Sequence, residues 1–481
     1  VCMPKRGEHS VLEFFARAPL AATPGMWADR FVGQSRDGFV FLLSDQSNDI
    51  GPGAIGTPGN VAGYTTALAR FGTMPLKTVM APAIAQARRG VMIRPYVHYY
   101  WTIDHGSDGQ VNMEDKLRLT ETGRRVYFRP DGRLRRPGEI LDNPDMARSL
   151  ERIAEGGAEV FYRGDMAHAM AADMQERGGL LGMQDFTSYQ VREKPVVWGD
   201  YRGLRVASNP PPSGGASLIE LLQILDHFDL AALEHGGPEH LRLLAEAMKW
   251  MTIDKDAHMG DPDFVDVPLE MLLSRDHAAM LAERIRSGAR AHVPRAEKAA
   301  DPPDTTVACV IDGEGNAVAL THTLGNPSGV ITEGLGFMYN GCMSGFDPRP
   351  GRAASIAPGK SRASAMAPTI LFRDGRPEMV IAAPGGTFIV PAIAQAIMNV
   401  VDFGMDMAGA VAAPRIVALS DTIDVSNRIP HGIQAALEAD GYPVARSYQS
   451  YAFGAPHGLL IRNGACSGGA DPQRDGMAMS A

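Results

Sequence analysis

Residues 305–324 constrain the fold more than any other stretch of this chain. TTVACVI (305–311) and AVALTHTL (317–324) are β-prone runs, and DGEGN (312–316) between them is rich in turn residues. Two such runs about a short polar turn form a hairpin. With the turn centred on Glu314 the pairing is symmetric, and Thr305 lies across from Thr323. Immediately upstream, ARAHVPRAEKAADPPD (289–304) has no apolar period, several charges and three prolines, and reads as an exposed, mobile linker. So long a tract without structure is uncommon inside a compact domain and asks for a functional reason.

Elsewhere the pattern mixes helices and short strands. Helices are expected over 75–87, 144–155, 167–177, 216–225, 241–251 and 389–401, several of them closed by Gly-Gly or Arg-Gly stops. Residues 195–206 read as two short strands, and 369–372 and 379–383 as two more. SNPPPSGG (208–215) is a rigid elbow into a helix, and 37–60, ending in GTPGN, reads as a surface loop with tight turns.

Composition bounds the function. With 481 residues, 45% hydrophobic and 21% charged, the chain buries a sizeable core. A net charge of −9 and scattered Lys and Arg leave no basic stripe for phosphates, which excludes a nucleic-acid partner. The cysteines Cys2, Cys309, Cys342 and Cys466 make no C-x-x-C pair, no H-E-x-x-H occurs, and no apolar run is long enough to span a membrane. No metal or cofactor is therefore expected. The chain opens on Val1, so a removed leader, and with it a periplasmic or a cytoplasmic location, stays open.

Amide cleavage by these residues narrows to one route. There is no G-x-S-x-G; in GNPSG (325–329) the serine stands one place late. No cysteine has an evident histidine partner. A threonine hydroxyl remains, with an N-terminal amine as its base. A free α-amine has a pKa of about 8 and accepts a proton near neutral pH, but Thr305 has one only if the Asp304–Thr305 bond is cut. Backbone N–H donors for the oxyanion are available at Pro384-Gly385-Gly386, after an apolar strand and before a helix.

These residues resemble the γ-glutamyltransferase family. DTTVACVIDGEGNAVALTHTLGNPSG is similar to that family's nucleophile hairpin, SAMAPT (364–369) to its S-S-M-x-P-T segment, and PGG (384–386) to its oxyanion glycines. FGTMPL (71–76), VFYRG (160–164), DYRGLRV (200–206), PPPSGG (210–215), LAEAMKW (244–250), GDPDFV (260–265) and Asp471-Pro472 follow in family order, so the resemblance runs from about residue 10 to the C-terminus. It implies an α+β fold, the four-layer αββα sandwich of N-terminal-nucleophile hydrolases. Large and small segments, 1–304 and 305–481, would be interwoven as one unit and stay associated after self-cleavage, and a homodimer is left open. The family's first helix and strand would be missing from this chain. Thr305 would be nucleophile and base, Thr323 its hydrogen-bonding partner, and Gly385 and Gly386 the oxyanion donors.

The departures concern substrate. Where the family binds a glutamyl carboxylate with an arginine, this chain has Phe15, with Arg17 two places on; of the family's serine pair Ser364 remains and Ala365 does not. Where the family binds the α-amine, Gly325 stands at the asparagine place beside Asn326, Cys342 at the glutamine place and Gly345 at the aspartate place. Removing the acidic partner of a bound ammonium removes a hydrogen bond worth about 1.5–3 kcal/mol. The expectation is a small-molecule amide substrate with an altered acyl group, Ser364, Arg17 and Asn326 being the binding candidates. Ser364 also reads as a plain loop hydroxyl, Arg17 as a surface cover and Asn326 as a turn residue. Conventional glutathione γ-glutamyl transfer and a non-catalytic scaffold remain the alternatives.

Overall fold

A strand that is apolar at every position from Met379 to Ala382 has no side to give to solvent, so it must be covered on both faces. The computed structural model, which describes residues 1–35, 38–106, 109–295, 305–448 and 453–480, sets this strand inside a six-stranded sheet. The strands of the two main sheets are β1 (Cys2–Met3), β2 (Glu8–His9), β3 (Val197–Tyr201), β4 (Leu204–Ser208), β5 (Thr306–Ile311), β6 (Ala317–His322), β7 (Thr369–Arg373), β8 (Arg376–Ala382), β9 (His457–Arg462) and β10 (Ala465–Ala470). The six-stranded sheet has the order β10-β9-β8-β7-β4-β3, the four-stranded sheet the order β5-β6-β1-β2, and every pairing in both is antiparallel. Both sheets therefore mix strands from before and after residue 304.

The twofold alternation of side chains sorts the layers. Cys2 and Ala317 of one sheet meet Ala207, Ile370, Phe372 and Val380 of the other in a core between the sheets. The opposite face of the six-stranded sheet sends Leu204, Val206, Leu371, Met379 and Ile381 into the main core. That core is closed by helices; the longer helices, in chain order, are α1 (Asn60–Phe71), α2 (Leu76–Arg89), α3 (Pro144–Tyr162), α4 (Asp165–Glu176), α5 (Gly215–Asp226), α6 (Pro238–His258), α7 (Arg275–Arg286) and α8 (Ile389–Val401). Helices α5, α6, α7 and α8 all contribute to it, and α5 is buried from Gly215 to Leu225. Helix α1 lies on the other side: its Tyr64 packs edge-on against His322 of β6, with ring centroids 5.6 Å apart. The result is the sandwich of two sheets between helical layers. Among the described residues no helix is long and apolar enough to cross a membrane.

The stop expected at 156–157 is present: Gly157 (φ 61°, ψ −150°) is not helical, and a second helical segment runs on to Tyr162 within α3. Two other local expectations need amending. The GTPGN loop is not on the surface: Gly56 and Thr57 are buried. Burial is tolerated because Asn340 satisfies the Gly56 backbone from both sides, accepting from its N–H at 2.9 Å and donating to its carbonyl at 2.8 Å. The tract read as a linker from 289 is strapped down at its start. Ala291 and Val293 are buried, and their N–H groups donate to Glu246 and Asp421 at 2.8 and 2.7 Å. Residues 296–304, including Asp304, lie outside the described residues.

Candidate active site

The hairpin forms with the register that its turn implies. Thr306 pairs with His322, Ala308 with Leu320 and Ile311 with Ala317. The turn is held by Asp312, whose Oδ1 accepts from the N–H groups of Glu314 and Asn316, each at 2.9 Å. Gly315 supplies the left-handed residue, with φ 81°. Thr305 is half-buried and immediately precedes β5. Continuing the register one step beyond the Thr306–His322 pair would bring it opposite Thr323. The Thr323 hydroxyl accepts from the N–H of Gly325 at 2.9 Å, which fixes its orientation.

Strand β8 ends at Ala382 and the chain passes through Pro384, Gly385 and Gly386 into a single 3₁₀ turn and then α8. Gly385 has φ 138°, and a Cβ there would fall 2.5 Å from the Cα of Gly454. No larger residue fits so close a backbone approach. The Gly454 loop is itself anchored: its carbonyl accepts from Arg415 Nη2 at 3.0 Å, and Arg415 is ion-paired with Asp471, both fully buried. The Asp-Pro near the C-terminus thus braces the glycine turn. Cys309, in the strand that Thr305 leads into, donates to the carbonyl of His457 at 3.4 Å, beside the end of β8.

A cavity of about 410 Å³ runs along β6. Thr323, Leu324, Cys342 and Arg362 line one end, and Tyr64 and Val318 are among the apolar residues of the rest. Of the catalytic and binding candidates named from sequence, Thr323 lines it. Arg17 pairs through its backbone with Thr57 and Ser361, while its guanidinium donates to the Gln190 carbonyl at 2.7 Å and lies 4.6 Å from the Tyr189 ring centroid. Asn326 is buried against Gln110 (3.3 Å) and Asp49 (3.5 Å), and Asp49 also holds the buried Lys116 at 2.6 Å. Ser364 is fixed by its N–H, which donates to the Pro212 carbonyl at 2.8 Å, and its hydroxyl accepts from Met366 N–H at 3.2 Å. Burial pushes the thiol of Cys309 up to about 12 and that of Cys342 upward as well, so both stay protonated near neutral pH.

Sequence reasoning passed over Arg362, which is only 4% exposed. Its one signal was its place two residues before Ser364. Among the described residues, Glu220, Asp254 and His277 have donor atoms within 4.8 Å of one another, close enough to share a cation. They sit on α5, α6 and α7, away from the cavity.

The comparisons with known proteins bear on the family and the fold. The model of the gamma-glutamyltranspeptidase family matches residues 1–481. The Acylase ACY 1 proenzyme of Pseudomonas sp. (strain V22) is 35% identical over 92% of this chain and 77% of its own length. The glutathione hydrolase proenzyme of Escherichia coli (strain K12) is 32% identical over 98% of this chain and 81% of its own. Among solved structures, the cephalosporin acylase from Bacillus halodurans superposes with a TM-score of 0.85 at 26% identity, covering 98% of this chain and 84% of that one.

Proposed function

This chain belongs to the gamma-glutamyltranspeptidase family of N-terminal-nucleophile hydrolases, and on that premise we propose that it is a self-processing threonine amidase whose acyl group is not γ-glutamyl. The observation that supports the catalytic part is the hairpin register, whose Thr306–His322 pair, continued by one step, would bring Thr305 opposite Thr323. In the precursor the Thr305 hydroxyl adds to the carbonyl of Asp304. The C–N bond then breaks, leaving an ester that water hydrolyses, and the products are the segments 1–304 and 305–481, which stay associated through their shared sheets.

The freed α-amine of Thr305 then takes the hydroxyl proton as the oxygen adds to a substrate amide carbonyl. Thr323 orients that hydroxyl, and backbone N–H groups at Gly385 and Gly386 receive the oxyanion, aided by the dipole of α8. Collapse releases the amine, which takes the proton, and leaves an acyl-threonine for water or a second amine to resolve.

The altered acyl group is supported by what surrounds the cavity end: Cys342 and Gly345 offer no carboxylate for a substrate ammonium. The deciding experiment is intact mass of the wild-type protein beside Thr305→Ala. The wild type is expected as two fragments, 1–304 and 305–481, and the variant whole and inactive; a wild type that stays whole overturns the self-processing reading. A clear preference for γ-glutamyl-p-nitroanilide over glutaryl-p-nitroanilide would return the substrate to the conventional one.

A further inference from the structure

Helix α5 is buried from Gly215 to Leu225, and Ile219, Leu221 and Leu222 around Glu220 belong to the main core. A glutamate is almost never fully buried without a partner, because an uncompensated carboxylate is costly there. Neither carboxylate oxygen of the buried Glu220 has a hydrogen-bond partner. Among the described residues no Lys or Arg pairs with it, and its nearest basic group is His277, whose Nε2 lies 3.9 Å from Oε1. Asp254 of α6 faces the same Nε2 at 2.7 Å and has no other ion pair among the described residues. One donor atom from each of α5, α6 and α7 thus lies within 4.8 Å of the other two. His277 is set in the first turn of α7 by the helix cap, its N–H donating to Ser274 Oγ at 3.0 Å. The side chains of Asp254 and His277 keep 16% and 11% of their exposure, so the cluster reaches solvent on their side while Glu220 closes it from the core.

We propose that Glu220, Asp254 and His277 bind a zinc ion that ties α7 to α5 and α6. Zinc takes carboxylate oxygen and imidazole nitrogen at about 2.0–2.1 Å in a tetrahedral array, which sets donor atoms about 3.3 Å apart, within reach of these three by side-chain shifts of about an ångström. Its charge offsets both carboxylates, one of them otherwise alone in a dry site. Calcium takes six or more oxygen ligands and magnesium an octahedral shell of them, more than this cluster supplies, and the imidazole favours a transition metal or zinc. Water on the open side completes the shell. Helix α7 packs on both α5 and α6, so the ion acts as a cross-link in the layer that covers the six-stranded sheet. The site lies apart from the cavity and does not rest on the reading of Thr305.

The test takes the full chain, stripped with a chelator and dialysed, as wild type, Glu220→Gln and His277→Gln, and titrates each with zinc chloride by calorimetry. The wild type is expected to take one ion per chain with a Kd of about 1 μM or tighter. Its melting temperature should rise by about 2–4 °C at free zinc a hundred times that Kd. Each variant should bind at least about 100-fold more weakly and lose the rise, since a ligand removed costs more than an outer-shell partner. Glu220→Gln is the decisive one, because it keeps the shape of the buried side chain and so leaves the fold in place. Cobalt(II) adds a signature that a merely structural role of these residues would not give: the strong visible absorption of a four-coordinate ion, present in the wild type and absent from His277→Gln. The chain has 13 histidines, and zinc held on others would bind all three proteins alike. Equal binding by wild type and variants, or a wild type that takes no stoichiometric zinc, overturns the proposal.

Discussion

The two sheets of the sandwich are built to different standards. In β8 of the six-stranded sheet Met379, Val380, Ile381 and Ala382 are all fully buried, one face against helices and the other against the second sheet. In β5 of the four-stranded sheet every second residue, Thr306, Ala308 and Val310, is exposed, Val310 by 53%. Strand β5 is also an edge, with β6 as its one neighbour. The strand that begins beside the proposed nucleophile thus has little apolar area holding it and, among the described residues, one unpaired side. A chain end can be released there without opening the main core, whereas the same cut in β8 would. On the proposed function, stability resides in one sheet and covalent change at the rim of the other.

The sharpest challenge to this division is Arg415→Ala. Its partner Asp471 lies at the end of β10, and Arg415 also holds the Gly454 loop against the glycine turn. Removing the cation leaves a buried carboxylate alone, a loss of about 3–5 kcal/mol. Urea denaturation should show it, and amidase activity should fall with it as the turn at Gly385 loosens. A loss below about 1 kcal/mol would mean that this end of the six-stranded sheet is not strapped by the pair.

A direct contrast comes next. Ile381→Ala in β8 empties space in the main core and should cost about 2–5 kcal/mol, while Val310→Ala on the exposed face of β5 should stay within about 0.5 kcal/mol. Comparable losses for the two, measured by the same denaturation, would erase the distinction between the sheets.

How far the sequence revealed this follows from the same division. The hairpin was legible to the register, because alternating β-prone runs and an Asp-Gly turn are local signals, and the Thr306–His322 pairing extends as the symmetry about Glu314 requires. Helix α8 was legible to its ends, 389–401. What was missed depends on partners distant in sequence. GTPGN looked like a surface loop because Asn340, which satisfies its backbone, is 284 residues away. The strapping of Ala291 and Val293 depends on Glu246 and Asp421. Arg362 stands just before a string matched to the family, and neither its burial nor the room left by Gly325 and Gly345 has a local signature.

The smallest effect concerns a polar flaw in the otherwise apolar helical cover of the six-stranded sheet. Glu220 of α5 is 1% exposed, and neither carboxylate oxygen has a hydrogen-bond partner. His277 Nε2 is engaged with Asp254 Oδ2 at 2.7 Å instead. With no cation bound, burial first, and then the neighbouring Asp254 carboxylate, raise the Glu220 carboxyl well above its ordinary value of 4.5. Between the ordinary and the raised value the folded protein keeps a proton that the unfolded chain releases, so stability is full at acid pH and falls as pH rises through that window. Glu220→Gln keeps the shape and removes the titration. Its melting temperature should match wild type near pH 4 and exceed it increasingly toward pH 8, by a few degrees on the usual scale for a chain of this size. Scanning calorimetry across that range reads the difference directly. A gap that stays constant with pH would mean that Glu220 carries no such proton and that the helical layer accommodates its charge, making that cover less uniformly apolar than the strand it shields.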